Sequence, residues 1–209
     1  MGGVVLLQRG NTPSNWSSTS DPTNAFDAGD GVRVGDHWYN TTDGNVWVCT
    51  DNTVGAAKWR HIPRVLGASG TAVSAGAVTT EETLATVVVP AGSMGTNGAL
   101  RVTSLWSANN TAGNKTFKTK LGATFFFGRV VAGTTLTVYE QTLISNRTAS
   151  TQVSNQTSGP FGISTVAAAT GAIDTTAAQN LTLTAQKATA GEVATLESYM
   201  VELIRPDIT

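Results

Sequence analysis

The sequence predicts an all-β protein: a small β-hairpin module followed by a jelly-roll-like β-sandwich. Three observations carry this expectation. Thr is the commonest residue, and its β-branched side chain suits extended strands with polar outer faces. Asp43-Gly44, between two apolar runs, is the strongest hairpin signal in the chain. From Thr80 onward, alternating runs recur between turn-forming clusters, the spacing of a sandwich or jelly roll.

Residues 1–30 read as an extended arm. Met1 to Gln8 is compatible with a short strand, and Gln8 to Asp30 is rich in Asn, Ser, Thr, Pro and Gly without a period of 2 or 3.6. Such a segment is expected to order by lying on a partner. The apolar run Val4, Val5, Leu6 and Leu7, with Trp16, supplies its anchoring candidates.

Residues 31–63 read as the hairpin module. Val32 to Asn40 forms one strand, Asn45 to Thr50 the next, and Lys58 to Ile62 returns as a third. A four-residue turn, Thr41 to Gly44, places Trp38 opposite Trp47. A two-residue turn places Trp38 opposite Cys49, and the sequence leaves both registers open. Residues 64–79, rich in small side chains, read as a linker.

Residues 80–209 read as the head. The expected strands are 83–89, 99–106, 115–121, 124–130, 136–145, 151–156, 180–186 and 194–204. In Asn180–Gln186, Leu181, Leu183 and Ala185 face one way and Thr182, Thr184 and Gln186 the other. Residues 163–178 fit either a long loop or a short helix. Phe125–Phe127 is too apolar to stand exposed. It is expected either in a subunit contact or in the core of one subunit.

Composition excludes several function classes. The formal net charge is −1 and the pI about 6.1, so no basic field attracts nucleic acid. No apolar stretch approaches the roughly 20 residues that span a bilayer. The single Cys forbids an intrachain disulfide. The first residues lack a basic leader, so folding in a reducing cytosol is expected.

No constellation stands out as catalytic. Cys49 with His37 or His61 is the one candidate pair of nucleophile and base, yet Cys49 sits in an apolar run where Cys behaves as a small hydrophobe. Asp21, Asp27, Asp30 and Asp36 do not follow calcium-loop spacing and read as solvated loop acids. Glu81, Glu82, Glu140, Glu192, Glu197 and Glu202 include no marked pair for glycoside hydrolysis. No phosphate-binding glycine loop is present. No enzyme activity, metal or cofactor is therefore expected. Trp38, Tyr39, Trp47 and Trp59 read first as the core of a small unit. Their second reading is a platform for stacking sugars.

The stretch VGDHWYNTTDGNVWVCTDNTVGAAKW resembles a short module of tailed-bacteriophage tail fibres and other virion appendages. Gly35, Trp38, Asn40-Thr41, Gly44, Cys49, Asp51, Gly55-Ala56-Ala57 and Trp59 carry the resemblance. The preceding DPTNAFDAGDG looks like the Asp-rich lead-in of such modules. The second half resembles the β-sandwich heads of these proteins, which are similar to tumour-necrosis-factor or capsid jelly rolls and typically trimeric. The resemblance implies a structural protein located in the virion. Its arm would lie on a major capsid or tail protein, as a trimeric decoration protein or short head fibre. The alternative it implies is a receptor-binding tail fibre that recognises host surface polysaccharide. The chain lacks the long repeated shaft of full tail fibres, and no catalytic residues come with the pattern.

Overall fold

The computed structural model describes residues 12–133, 135–155 and 166–209. Val4, Val5, Leu6 and Leu7 lie outside the described residues. The chain divides into two compact units: Met1–Ile62 with Pro206–Thr209, and Pro63–Arg205. Strands dominate both, with one short 3-10 turn, Ala28–Asp30, among the described residues.

The first unit is a four-stranded sheet of β1 (Asn15–Ser18), β2 (His37–Asn40), β3 (Val46–Asp51) and β4 (Lys58–His61), in that order. β1 runs parallel to β2, and the other pairings are antiparallel. The hairpin takes the four-residue turn, with Trp38 opposite Trp47. Two features fix this register. Asn40 Oδ1 accepts the Thr42 N–H at 2.9 Å. Gly44 sits at φ 76°, a left-handed conformation that disfavours a side chain. The far edge of β4 is closed by the C-terminus, where Trp59 and Ile208 exchange backbone hydrogen bonds of 3.0 and 2.8 Å.

The arm expected over residues 1–30 needs correcting for its described part. Residues 14–30 belong to the same unit as the hairpin, because β1 completes its sheet and Trp16 and Phe26 pack on its core.

The second unit is a sandwich. All eight expected strands are present: β7 (Glu82–Val89), β8 (Ala99–Ala108), β9 (Thr111–Leu121), β10 (Thr124–Gly133), β11 (Thr137–Thr148), β12 (Thr151–Ser154), β14 (Gln179–Lys187) and β15 (Ala194–Ile204). Three others were not expected. β5 (Arg64–Ser69) and β6 (Val73–Ser74) occupy the stretch expected to be a linker, and β13 (Ala169–Gly171) lies where helix and loop were both open. β5 and β6 exist because both pair with β15, a tertiary context that overrides their small-residue composition.

One sheet has the order β10-β9-β14-β7. The other has the order β13-β12-β11-β8-β15-β5, with β6 also beside β15. Successive strands cross between the sheets repeatedly, as in a jelly roll. The core fills the space between them with Leu100, Val102 and Trp106 from β8, Phe117 and Leu121 from β9, Leu181 and Leu183 from β14, and Val201 and Leu203 from β15. Trp106 stacks on Phe117 with ring centroids 4.6 Å apart.

Two bulges correct the simple alternation. In β15 the register shifts between Leu196 and Ser198. This lets Leu196 and Val201 both bury although they are five positions apart. In β10 it shifts between Phe125 and Phe127, so Phe126 and Phe127 are both buried in one subunit. The extra residue turns a second ring inward that strict alternation would have left outside.

Candidate interaction surfaces

The aromatic cluster of the first unit is its core. Trp38, Trp47 and Trp59 are 8, 1 and 0% exposed, leaving no open indole face for a sugar. Phe26 fills the space among them, 4.6 Å from Trp38 and 6.1 Å from Trp59 between ring centroids. Each indole N–H is satisfied: Trp38 donates to Ser20 O, Trp47 to Asp21 Oδ1 and Trp59 to Phe26 O. The platform reading therefore fails for the three Trp residues. Tyr39 is the exposed member of the set, on the opposite face of β2.

Trp16, expected as an anchor, is held within the unit. It packs edge-on against Phe26 at 5.1 Å and donates from Nε1 to Asp36 Oδ2 at 3.0 Å. Cys49 is buried, and burial pushes its thiol pKa up. Its Sγ contacts Asp51 O at 3.4 Å. His61 packs instead on Trp47 at 4.9 Å and contacts Asn45 Oδ1 at 3.4 Å.

Two of the four loop acids are not solvated, contrary to expectation. Asp27 accepts from Gly29 N and Gly55 N at 2.7 and 2.6 Å, and Asp36 accepts from Ser14 N, Trp16 Nε1 and Arg33 N. Both are buried. They are hydrogen-bonding hubs that hold loops for which the short strands provide no ladder. Among the described residues, no group of three or more His, Cys, Asp or Glu side chains is placed to hold a metal ion.

Several carboxylates of the sandwich are paired with cations. Glu140 meets Arg129 across the two sheets, Glu202 meets Arg101 at 2.7 Å, and Glu192 lies 3.8 Å from Lys115 with both side chains buried. Burial pushes Glu140 above its ordinary pKa, against the pull of Arg129. Glu81 bridges Lys118 at 2.5 Å, Lys120 at 3.1 Å and the Thr184 hydroxyl at 2.8 Å.

A group of exposed apolar side chains lies on the outer face of the seven-stranded sheet. Tyr139 and Leu143 of β11, Met200 of β15 and Val65 of β5 are 64, 47, 37 and 53% exposed. The register places them in adjoining rows: Tyr139 beside Leu105, Met200 beside Thr103, and Leu143 in line with Arg101, Glu202 and Val65. The charges in the last row neutralise each other. A depression of about 550 Å³, lined by Ala99, Arg101, Gln141, Leu143, Asn155 and Ile204, opens on the same face. Sequence reasoning did not single out this face. Its signal was present in Tyr139 and Leu143, apolar residues on the solvent-side phase of a strand whose other phase already fills the core.

Comparison of the chain with protein-family models, with curated proteins and with solved structures finds no match.

Proposed function

We propose that this chain is a non-enzymatic structural protein of a phage or phage-like particle, assembled as a trimer and attached as a decoration protein or short head fibre. The observation that carries the reading is the outer face of the seven-stranded sheet. Tyr139, Leu143, Met200 and Val65 stand exposed there, and the charges in their rows, Arg101 and Glu202, are paired with each other. Such a face suits contact between copies of the chain. Phe125–Phe127, the other candidate for that contact, has two of its rings committed to the subunit interior.

The first unit adds support through the residues that resemble the virion-appendage module. Asn40 holds the hairpin loop and also donates to Asp21, Asp51 holds the Thr53 turn, and Ala57 and Trp59 are fully buried. The pattern is thus the recipe for a small autonomous core. Attachment falls to the N-terminal segment, with the capsid or tail protein as partner.

Mass spectrometry of purified particles from the phage that encodes the chain tests this reading. The chain is expected in the particle in copy numbers divisible by three. Its absence from washed particles would remove the proposal.

A further inference from the structure

We propose that the outer face of the four-stranded sheet holds a saccharide site, in which the exposed ring of Phe125 stacks on a sugar ring and Lys118 and Lys120 bind a carboxylate of an acidic glycan.

The site begins with the sequence Phe125-Phe126-Phe127-Gly128. The bulge in β10 sends Phe126 and Phe127 inward and leaves Phe125 outside, 36% exposed. The Phe125 ring does not stand away from the sheet. A Cβ at Gly128 would lie 2.6 Å from both Cε2 and Cζ of that ring. The ring therefore lies down over the backbone of Gly128, in space that only a glycine leaves. One face rests on the strand and the outward side remains open, the geometry that stacking on a flat partner requires.

The neighbouring strands supply polar groups in register. Phe125 pairs with Lys120 of β9, and Lys120 pairs with Thr182 of β14. Gly128 pairs with Lys118, and Lys118 with Thr184. Glu81 fixes both ammonium groups through one hydrogen bond each. An ammonium carries three N–H donors, so each lysine keeps donors for a ligand while its position is already set. Two cations against one carboxylate leave this patch positive, in a chain whose net charge is −1. That excess selects an acidic glycan over a neutral one.

The inference goes beyond the attachment role and does not rest on it. A chain with this site would bind glycan whether or not it assembles on a particle, and the test below is independent of particle binding.

The probe is an oligogalacturonate titrated into the full-length chain by calorimetry. A dextran oligomer serves as the neutral control, and polyglutamate as the acidic control without sugar rings. Oligogalacturonate is expected to bind, to bind more tightly than either control, and to weaken as salt is raised. Phe125→Ala is expected to weaken binding about tenfold, with Phe125→Tyr retaining it. Lys120→Gln is expected to remove the preference for oligogalacturonate over dextran. Phe125 and Lys120 lie on the outer face of the sheet, so both variants should stay folded with the wild-type strand content by circular dichroism, each melting slightly earlier because the ring contact with Gly128 or one bond of the Glu81 clamp is lost. Failure to bind oligogalacturonate would overturn the proposal, as would equal binding of polyglutamate. An unchanged affinity in Phe125→Ala would overturn it too.

Discussion

Asp36 accepts the indole N–H of Trp16 at 3.0 Å, and its other oxygen accepts the Ser14 N–H at 2.7 Å. One buried carboxylate thereby ties β1 to the start of β2. It also accepts from Arg33 N at 3.0 Å, so three donors converge on it. Burial alone would raise its pKa, but the bonds from Trp16, Ser14 and Arg33 outweigh burial and hold it below the ordinary value. Asp36→Ala leaves these donors without their acceptor. It is expected to destabilise the first unit by about 3 kcal/mol, read from urea denaturation followed by Trp fluorescence. Because the folded pKa is depressed, this contribution is complete above the ordinary carboxylate pKa and disappears as pH falls through the folded value. The variant's deficit should therefore shrink in acid.

Lys115 and Glu192 form a buried pair at one end of the sandwich. Lys115 Nζ also donates to Asn109 O, Thr111 O and Thr111 Oγ1, and Glu192 Oε2 accepts from Ala188 N and Thr189 N. Glu192→Ala strands a buried cation and two backbone donors. A loss of about 3–5 kcal/mol is expected on chemical denaturation. Adding Lys115→Met should recover part of that loss, since the unpaired charge is then gone. Equal stability of the single and double variants would refute this account of the pair.

Glu81 has its pKa set by opposing effects. Burial raises it, and the bonds from Lys118, Thr184 and Lys120 more than compensate, bringing it to about 2 from 4.5. Its contribution to stability is present above pH 4.5 and is lost as pH falls toward 2. The clamp is partly exposed, so Glu81→Gln is expected to cost only on the order of 1 kcal/mol at neutral pH. Thermal melts from neutral to acid pH should show wild type and variant converging.

The outer sheet face predicts assembly. Sedimentation equilibrium should give three times the chain mass of 21.6 kDa. Leu143→Glu replaces an exposed apolar side chain with a second acid beside the Arg101–Glu202 pair, without touching the core. It is expected to shift the mass toward one chain while strand content by circular dichroism stays unchanged.

Much of this architecture was legible because strands announce themselves by phase. Leu181, Leu183 and Ala185 alternate with polar neighbours, and all three are buried. Asp43-Gly44 marked the hairpin, but its register needed the Asn40 side chain, which the spacing of turn residues does not reveal. β5, β6 and β1 escaped detection because their pairing partners lie far away in sequence, so their strand character is tertiary. The buried hubs Asp27 and Asp36 look like loop acids locally. Only the fold shows that backbone donors surround them. The saccharide site was hidden for a related reason: a one-residue bulge decides which of three adjacent phenylalanines faces out.

The most direct test of the virion reading is binding of the purified chain to particles that lack it, measured by cosedimentation. Full-length chain should be compared with a form lacking residues 1–11, since residues 14–30 are needed for the first unit to fold. The account predicts saturable binding by the full-length trimer and none by the truncated form. Binding by neither form, with both retained on host cells, would contradict attachment to the particle.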